Sequence, residues 1–438
     1  MQTTIILSKL AKDPEWIIRE EVARNLKTSP DDLRKLSRDE EFRVRRAVAG
    51  NPSTPSEVLD ELSRMGDFDI KKAAAANPGT PLERLKELAK NKDSRIRARV
   101  AQNRAASREI LEELSRDDNL EVKLKVAGNP NTPSETLDEL SRDDNLGVKL
   151  EVAGNPSTPS ETLDELSRDD ELEVKLEVAQ NPSTLSKTLE ELAKDENVHI
   201  KMNVAENPNA SDETLKRLVM DKSQAVVRSC AKNVRIRGEA LEILLAEDDW
   251  RMKAEIAKKS ETSVELLEKF AREKDWHIKV NVAENPTTPR RILKRLAKNK
   301  NFVVRLRCAE NPSTPSDDLE ELIKEENLFS NRLKDAPESL KGSARDCDLR
   351  MIENVAANPN TPEKLLERLA EKEDLEIKII VAGNPSISLK LMEKFSRSRN
   401  SDVRLAVAGN PSLPLRIMEK LSRDKNDLVR IVIAERRI

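Results

Sequence analysis

The chain contains no tyrosine, and only six phenylalanines and three tryptophans stand among its 438 residues. With aromatics at 2%, a core built on large rings is excluded, and smaller side chains must fill the interior. Cys230, Cys308 and Cys347 are the only cysteines, with no CxxC pair and no even framework. A disulfide scaffold and a thiolate metal site are therefore not expected, and a reducing cytosol is the default compartment. Charge of neither sign dominates, because 78 lysines and arginines face 81 aspartates and glutamates. No net field draws the whole molecule to nucleic acid or membrane, so any charge-driven partner must be recognised locally. The N-terminal stretch "MQTTIILSKLAKDPEW" lacks a basic region followed by a long apolar core, and no apolar run approaches a membrane span. The reading is a soluble cytoplasmic chain without membrane association.

What the sequence does have is a period. The motif "VAGNPSTP" contains an asparagine–proline step, and its asparagine recurs at Asn25, Asn51, Asn77, Asn103, Asn129, Asn155, Asn181, Asn207 and Asn233, every 26 residues. Lys259 takes the next slot, followed by Asn285 and Asn311. After an interval of 47 residues come Asn358, Asn384 and Asn410, and Arg436 holds the last slot. About sixteen units thus cover the chain, and such a period is the mark of a repeat architecture. Units 117–142 and 143–168 differ at only three positions, as after a recent duplication.

Within the unit Asn155–Gln180, Thr158-Pro159-Ser160-Glu161 reads as a capping box that opens a first helix, with Pro159 at its first position. Leu163 and Leu166 lie one turn apart on it, and Asp169-Asp170 can cap a second helix, "LEVKLEVA". Roughly six apolar positions per unit are too few for an independent fold, so the units must stack and share a core. The fold class is all-α: a solenoid of about sixteen two-helix repeats. Its organisation reads as a repeat array over 1–323, an irregular segment over 324–354 that is a hinge, a bend or a partner-specific insertion, and repeats of the same solenoid over 355–438.

At 100° per residue, Leu172, Leu176 and Ala179 form one apolar stripe of the second helix, and Val174 and Val178 another nearly opposite. Glu173, Glu177 and Gln180 share the free side. Lys175 falls between the stripes, and the equivalent residue is basic in fourteen units, with Val227 and Ile352 the exceptions. A regular ladder of cations suits phosphates. An inward cation needs a carboxylate, however, and Asp169 or Asp170, Asp195, Asp221, Asp275, Asp374 and Asp424 stand ready to form an Asp–Lys/Arg ladder. The structural ladder is the preferred reading.

Trp16, Phe42, Phe68, Trp250, Trp276 and Phe302 share the position of Leu172, and Phe270 and Phe395 that of Leu166. These are expected to be core, leaving Phe329 alone to stack on a base. Cys230 and Cys308 take the place of Val178 and read as small buried hydrophobes. His199 and His277, three units apart, are too distant to share a metal. Without a Ser-His or Cys-His neighbourhood, acid–base and nucleophilic chemistry lack their usual groups. No enzyme and no cofactor are expected.

The strings "VKLEVAGNPSTPSETLDELSRD", "VRRAVAGNPSTP" and "VRLAVAGNPSLP" resemble the leucine-rich repeat variant family over nearly the whole chain. The resemblance implies a right-handed superhelical solenoid of paired helices in which a short 3₁₀ helix can serve as the second element. Family members can carry an N-terminal iron–sulfur module built on clustered cysteines, and nothing here matches it. The V-R segment also looks like HEAT repeats, where an Asp–Arg ladder joins neighbouring units. Neither resemblance fixes an activity.

Invariant positions serve stacking, so recognition is sought at the variable outer ones. Near the C-terminus these become apolar at Ile380, Ala406, Leu428 and Val432, which reads as a face for another protein or a second copy, or as a terminal cap packed on itself. The chain also ends without a distinct polar cap, which fits end-to-end association or a longer array. From Arg290 to Arg307, eight basic residues occur with no acidic one. Arg290, Arg291, Lys294, Arg295, Lys298, Arg305 and Arg307 are the candidates for an anion or nucleic-acid contact, the alternative to a protein-binding scaffold. The asparagines Asn51, Asn77, Asn129, Asn155, Asn181, Asn207, Asn285, Asn311, Asn358, Asn384 and Asn410 are expected to stack as a ladder, each satisfying loop backbone or adopting the left-handed conformation.

Overall fold

Each repeat folds as two short helices because stop signals stand at both ends of its helical stretches. Asn145 Oδ1 accepts the Val148 N–H at 3.4 Å, Leu146–Gly154 follows as a nine-residue α-helix, and Asn155 ends it in an extended conformation at φ −72°, ψ 123°. Pro156 disfavours helical geometry for the residue before it. Yet Asn25, Asn103 and Asn233, which precede Leu26, Arg104 and Val234, are extended as well. Side-chain hydrogen bonds, and not proline alone, therefore set the bend. The left-handed alternative is not used, for among the described residues only Gly238 has a positive φ.

The computed structural model describes residues 2–247, 249–324 and 338–436. Its described residues form 32 helices and no strand, so the all-α solenoid of paired helices holds. Both members of a pair are α-helices, as in Ser160–Leu166 and Leu172–Gln180, so the 3₁₀ element implied by the family resemblance is not adopted. The chain packs as two units, Met1–Ile243 with Ala434–Ile438, and Leu244–Ile433. In each, the core is made of small side chains: in the first, Val148, Val152 and Ala153 of one second helix and Leu163 and Leu166 of the following first helix are all buried. Burying a valine or leucine contributes about 1.5–3 kcal/mol, so stability accumulates repeat by repeat.

The asparagine amides tie neighbouring repeats together. Asn155 Nδ2 donates to the carbonyls of Ala127 at 2.6 Å and Asn129 at 3.0 Å, while its Oδ1 accepts the Ser157 N–H at 2.9 Å. The donor pair recurs at Asn51, Asn77, Asn103, Asn129, Asn181, Asn207 and Asn233 of the first unit, always 28 and 26 residues back. It recurs in the second unit at Asn285, Asn311, Asn384 and Asn410. Asn358 donates to Ala309 and Asn311 at 2.7 and 2.9 Å, so the irregular interval leaves the pattern unbroken. Residues 325–337 of that interval, including Phe329, lie outside the described residues. Asn25 finds its acceptors in Ala434 and Arg436, at 2.5 and 3.0 Å. Residues 434–436 thus serve the first repeat as residues 23–25 serve the second, and the C-terminal main chain completes the first unit.

The capping box does not form. Thr158 is buried, and its Oγ1 donates to the Val152 carbonyl at 2.5 Å, satisfying the end of the preceding helix instead. Pro159 then stands at the N-cap of Ser160–Leu166 without a side-chain cap. The motif closes one helix twice, through Asn155 and Thr158, and leaves proline to set the direction of the next.

Cation rungs join the repeats along another line. Arg97 reaches Asp117 at 2.6 Å, Lys123 reaches Asp143 and Lys149 reaches Asp169 at 2.8 Å, each spanning to the next repeat. Asp169, not Asp170, is the partner, because only the position twenty residues beyond the cation faces it. Asp275 and Asp374 are not rungs but N-caps, accepting the N–H of His277 and of Glu376 at 2.7 and 2.8 Å. The hydrogen bond from each rung cation holds Asp117, Asp143 and Asp169 below the ordinary carboxyl value of 3.8. A carboxyl lowered by folding makes the unfolded chain the better proton acceptor. The rungs' stabilisation is therefore complete above the ordinary value and is lost as pH falls through the lowered ones. Urea midpoints measured between pH 7 and pH 3 are expected to fall below about pH 4, and less steeply in Lys149→Met. Equal slopes for the two proteins would remove the rung from the acid response.

Candidate interaction surface

The second helix Leu172–Gln180 packs against the second helices before and after it, Leu146–Gly154 and Val198–Glu206, yet one of its faces stays open. Val174, Val178 and Ala179 are buried, but Leu172 is 39% exposed and Leu176 half-buried. The two opposed stripes expected from the helical wheel are thus corrected: Ala179 belongs with the valines, and the leucines form an outer row. Leu172 is the first residue of its helix, where no preceding turn covers it.

The aromatic residues follow this row and are not core as expected. Phe42 and Trp276 are exposed, and Trp16, Phe68, Trp250 and Phe302 half-buried, while Phe270 and Phe395 are buried. What covers the rings is the next repeat's second-helix residue. The Arg43 guanidinium lies 4.7 Å from the Trp16 ring centre and that of Arg95 4.2 Å from Phe68. In the second unit His277 stacks on Trp250 at 4.3 Å and on Trp276 at 3.7 Å, with its Nδ1 2.9 Å from Asp275 Oδ1. Such cation–π and ring contacts occupy the faces that a base would need. Cys230 and Cys308 are buried, and burial pushes the Cys308 thiol up, away from the thiolate a nucleophile requires.

No arginine stands at the covering position in the middle of the first unit. Leu120, Leu146, Leu172 and Val198 are all more than a third exposed, and the equivalent covering positions hold Gly147, Glu173 and His199. Behind the row is an open hollow of about 530 Å³. Leu124, Leu150 and three glycines line it, together with Glu151 and Glu177. The glycines make the room: a Cβ on Gly128 would come within 2.6 Å of Glu151 Oε2. This surface was legible neither from the motif nor from the helical wheel. Its sequence signal is the row of leucines at the first position of successive second helices.

The residues singled out in sequence are scattered. Among the C-terminal four, Leu428 is 58% exposed, while Ile380, Ala406 and Val432 are half-buried. In the basic stretch, Arg290, Arg291, Lys294, Arg295 and Lys298 are exposed along the first helix Arg290–Leu296 and just beyond it. Arg305 is 3% exposed and donates to the Asn299 and Lys300 carbonyls, which removes it from that set. Arg291 is paired with Glu268, and Arg307 with Glu284 and Glu310. Among the described residues no group of three metal-binding side chains converges, and no helix is long and apolar enough to cross a membrane.

Residues 42–69 and 120–145 match the leucine rich repeat variant family. The chain is a helical repeat protein similar to that family over those residues. This repeat protein is similar to a solved leucine-rich repeat variant with a novel repetitive structural motif, at 27% identity over 46% of this chain and 80% of that one, with a TM-score of 0.32. It is also similar to yeast importin-beta, at 11% identity over 98% of this chain and 72% of that one, TM-score 0.35. An engineered protein is matched at 16% identity over 93% and 97% of the two chains, TM-score 0.21. No curated protein matches the repeat protein.

Proposed function

We propose that the chain is a non-catalytic, cytoplasmic scaffold that binds protein through the outer positions of its second helices. The observation that carries this reading is the row Leu120, Leu146, Leu172 and Val198, each more than a third exposed in four successive repeats, whereas the rings of Trp16, Phe68 and Trp250 at the same position lie against Arg43, Arg95 and His277. Contiguous exposed aliphatic surface of this kind marks interfaces.

A photo-cross-linking residue placed at Leu146 or Leu172 is expected to capture discrete protein adducts in lysate of the native host, and the same residue at Glu139 or Glu165 on the first helices is not. Adducts at all four positions, or at none, would count against the reading. Self-association through Leu428 is a narrower possibility, because the nearby main-chain acceptors of Ala434 and Arg436 are already taken by Asn25. For nucleic acid, only the exposed Arg290, Arg291, Lys294, Arg295 and Lys298 remain. A low-salt gel shift abolished by Lys294→Glu with Lys298→Glu would move the proposal there.

A further inference from the structure

We infer that the row Leu120–Val198 takes a basic amphipathic helix of a partner protein; this inference rests on the scaffold reading and names the partner's chemistry. The first observation is which carboxylates are neutralised. On the first helices of these repeats the acids are partnered: Asp138 with Arg142, Asp164 with Arg168, and Glu165 also with Arg142. On the second helices, Glu206 is paired with Lys232 at 2.8 Å, whereas the side chains of Glu151, Glu173 and Glu177 flank the leucine row and form no hydrogen bond or ion pair among the described residues. Lys125 is the one cation among the outer positions of the same four helices. The row is therefore apolar in the middle and negative at its margin.

The second observation is the shape of the hollow. Leu124 and Leu150 offer apolar walls, the glycines keep the floor open, and Glu151 and Glu177 stand at the rim. A lysine or arginine suits that arrangement, since its aliphatic stem packs on leucine while its charged head reaches outward to a carboxylate. An acidic side chain would meet like charge, and an uncharged apolar one would leave the carboxylates beside it poorly solvated.

The third observation is spacing. Packed helices stand roughly 8–10 Å apart, and two turns of an α-helix advance about 10.5 Å. A partner helix with an apolar residue every seventh position therefore presents one to each successive leucine. Four repeats span about 30 Å, the length of a helix of roughly 20 residues. Such docking is the helix-in-groove mode, in which an apolar face supplies the contact area and flanking charges set the orientation.

The test uses the full chain and three synthetic fluorescent peptides of equal length. One carries leucine on a heptad spacing with lysine on the flanks, the second replaces each lysine with glutamate, and the third scrambles the lysine peptide so that no apolar face survives. Anisotropy titration is expected to show the lysine peptide binding at least tenfold tighter than either control. Glu151→Lys/Glu173→Lys/Glu177→Lys is expected to weaken it at least thirtyfold, and Leu146→Ser/Leu172→Ser at least tenfold. Charge reversal at Glu135 and Glu139, on a first helix, should change it less than threefold. All substituted positions are exposed or half-buried, so circular dichroism confirms folding without ambiguity. Scrambled peptide binding as well as the patterned one, or indifference to both face variants, overturns the inference. Glutamate peptide binding that is lost in Leu146→Ser/Leu172→Ser keeps the scaffold reading and overturns the charge assignment. Concentration-dependent dimerisation abolished by the same pair assigns the row to a second copy and overturns it too.

Discussion

Replacing Asn155 with alanine is expected to lower the unfolding free energy by about 3 kcal/mol, more than any exposed substitution in the same repeat. The residue is 2% exposed, and its amide serves three backbone groups. The Asn129 carbonyl keeps the Thr132 N–H, but the Ala127 carbonyl loses its side-chain partner in the buried interior and the Ser157 N–H loses its own at a partly buried site. Each group so stranded costs about 1–3 kcal/mol. Asn155→Asp should cost more than alanine, since its carboxylate sets acceptors against two carbonyls. Asn131→Ala, which removes an exposed bond to the Arg104 carbonyl, should cost less than about 1 kcal/mol. Urea denaturation followed by circular dichroism ranks the three. Because a repeat array couples mainly to its neighbours, amide exchange should rise first around residues 127–132 and 153–158. Equal midpoints for Asn131→Ala and Asn155→Ala would deny the amide its role.

A second large effect is expected at Arg404. Its Nε and Nη2 bond both oxygens of Asp424 at 2.7 and 2.8 Å, and Nη1 donates to the Ser398 and Arg399 carbonyls. Both partners are nearly buried, at 6% and 9% side-chain exposure. Burial pushes the Asp424 carboxyl up, yet the Arg404 hydrogen bonds, the Asn426 N–H and the nearby positive charges together outweigh it and hold the group below its ordinary value. Arg404→Ala leaves that charge buried and unpaired, at a cost of about 3–5 kcal/mol. Asp424→Asn keeps the shape and should cost less. The more exposed pair of Lys149 and Asp169, at 24% and 13%, should lose no more than about 1–2 kcal/mol when Lys149 is replaced by methionine. Urea midpoints of the three variants check the order, and an Arg404→Ala loss no larger than that of Lys149→Met would contradict it.

These two residues also mark how far the sequence could be read. The 26-residue step placed Asn155 at the end of a helix and Arg404 among inward cations, because a repeated residue must meet the same surroundings in every unit. It could not say where Thr158 would turn: the Thr-Pro-Ser-Glu string satisfies the rules of a capping box, but the Val152 carbonyl competes for the hydroxyl and is nearer. Asp275 and Asp374 look like Asp169 in composition, yet both lie at an N-cap while Asp169 lies twenty residues from its cation, a difference of register that only packing resolves.

The outer row was missed for a related reason. A helical wheel treats Leu172 and Val174 as equivalent apolar residues, whereas a nine-residue helix has ends, and its first residue meets solvent where an interior one meets a neighbour. The hollow beside it depends on Gly128, Gly147 and Gly154, whose meaning arises only when one repeat is laid against the next. In the basic stretch, a run of positive residues in sequence divides between an exposed helix and the buried Arg305, so proximity along the chain overstated the patch.

The central claim is that stacking and recognition use different positions of the same second helix. It is tested most directly by the urea midpoints of two matched double variants, Leu146→Lys/Leu172→Lys on the outer row and Val148→Lys/Val174→Lys two residues further along. The outer pair is expected to unfold within a few tenths of a molar of the parent, and the inner pair, 0% exposed at both sites, to lose the cooperative transition altogether. Loss of the transition in both would make the leucines part of the core and contradict the claim.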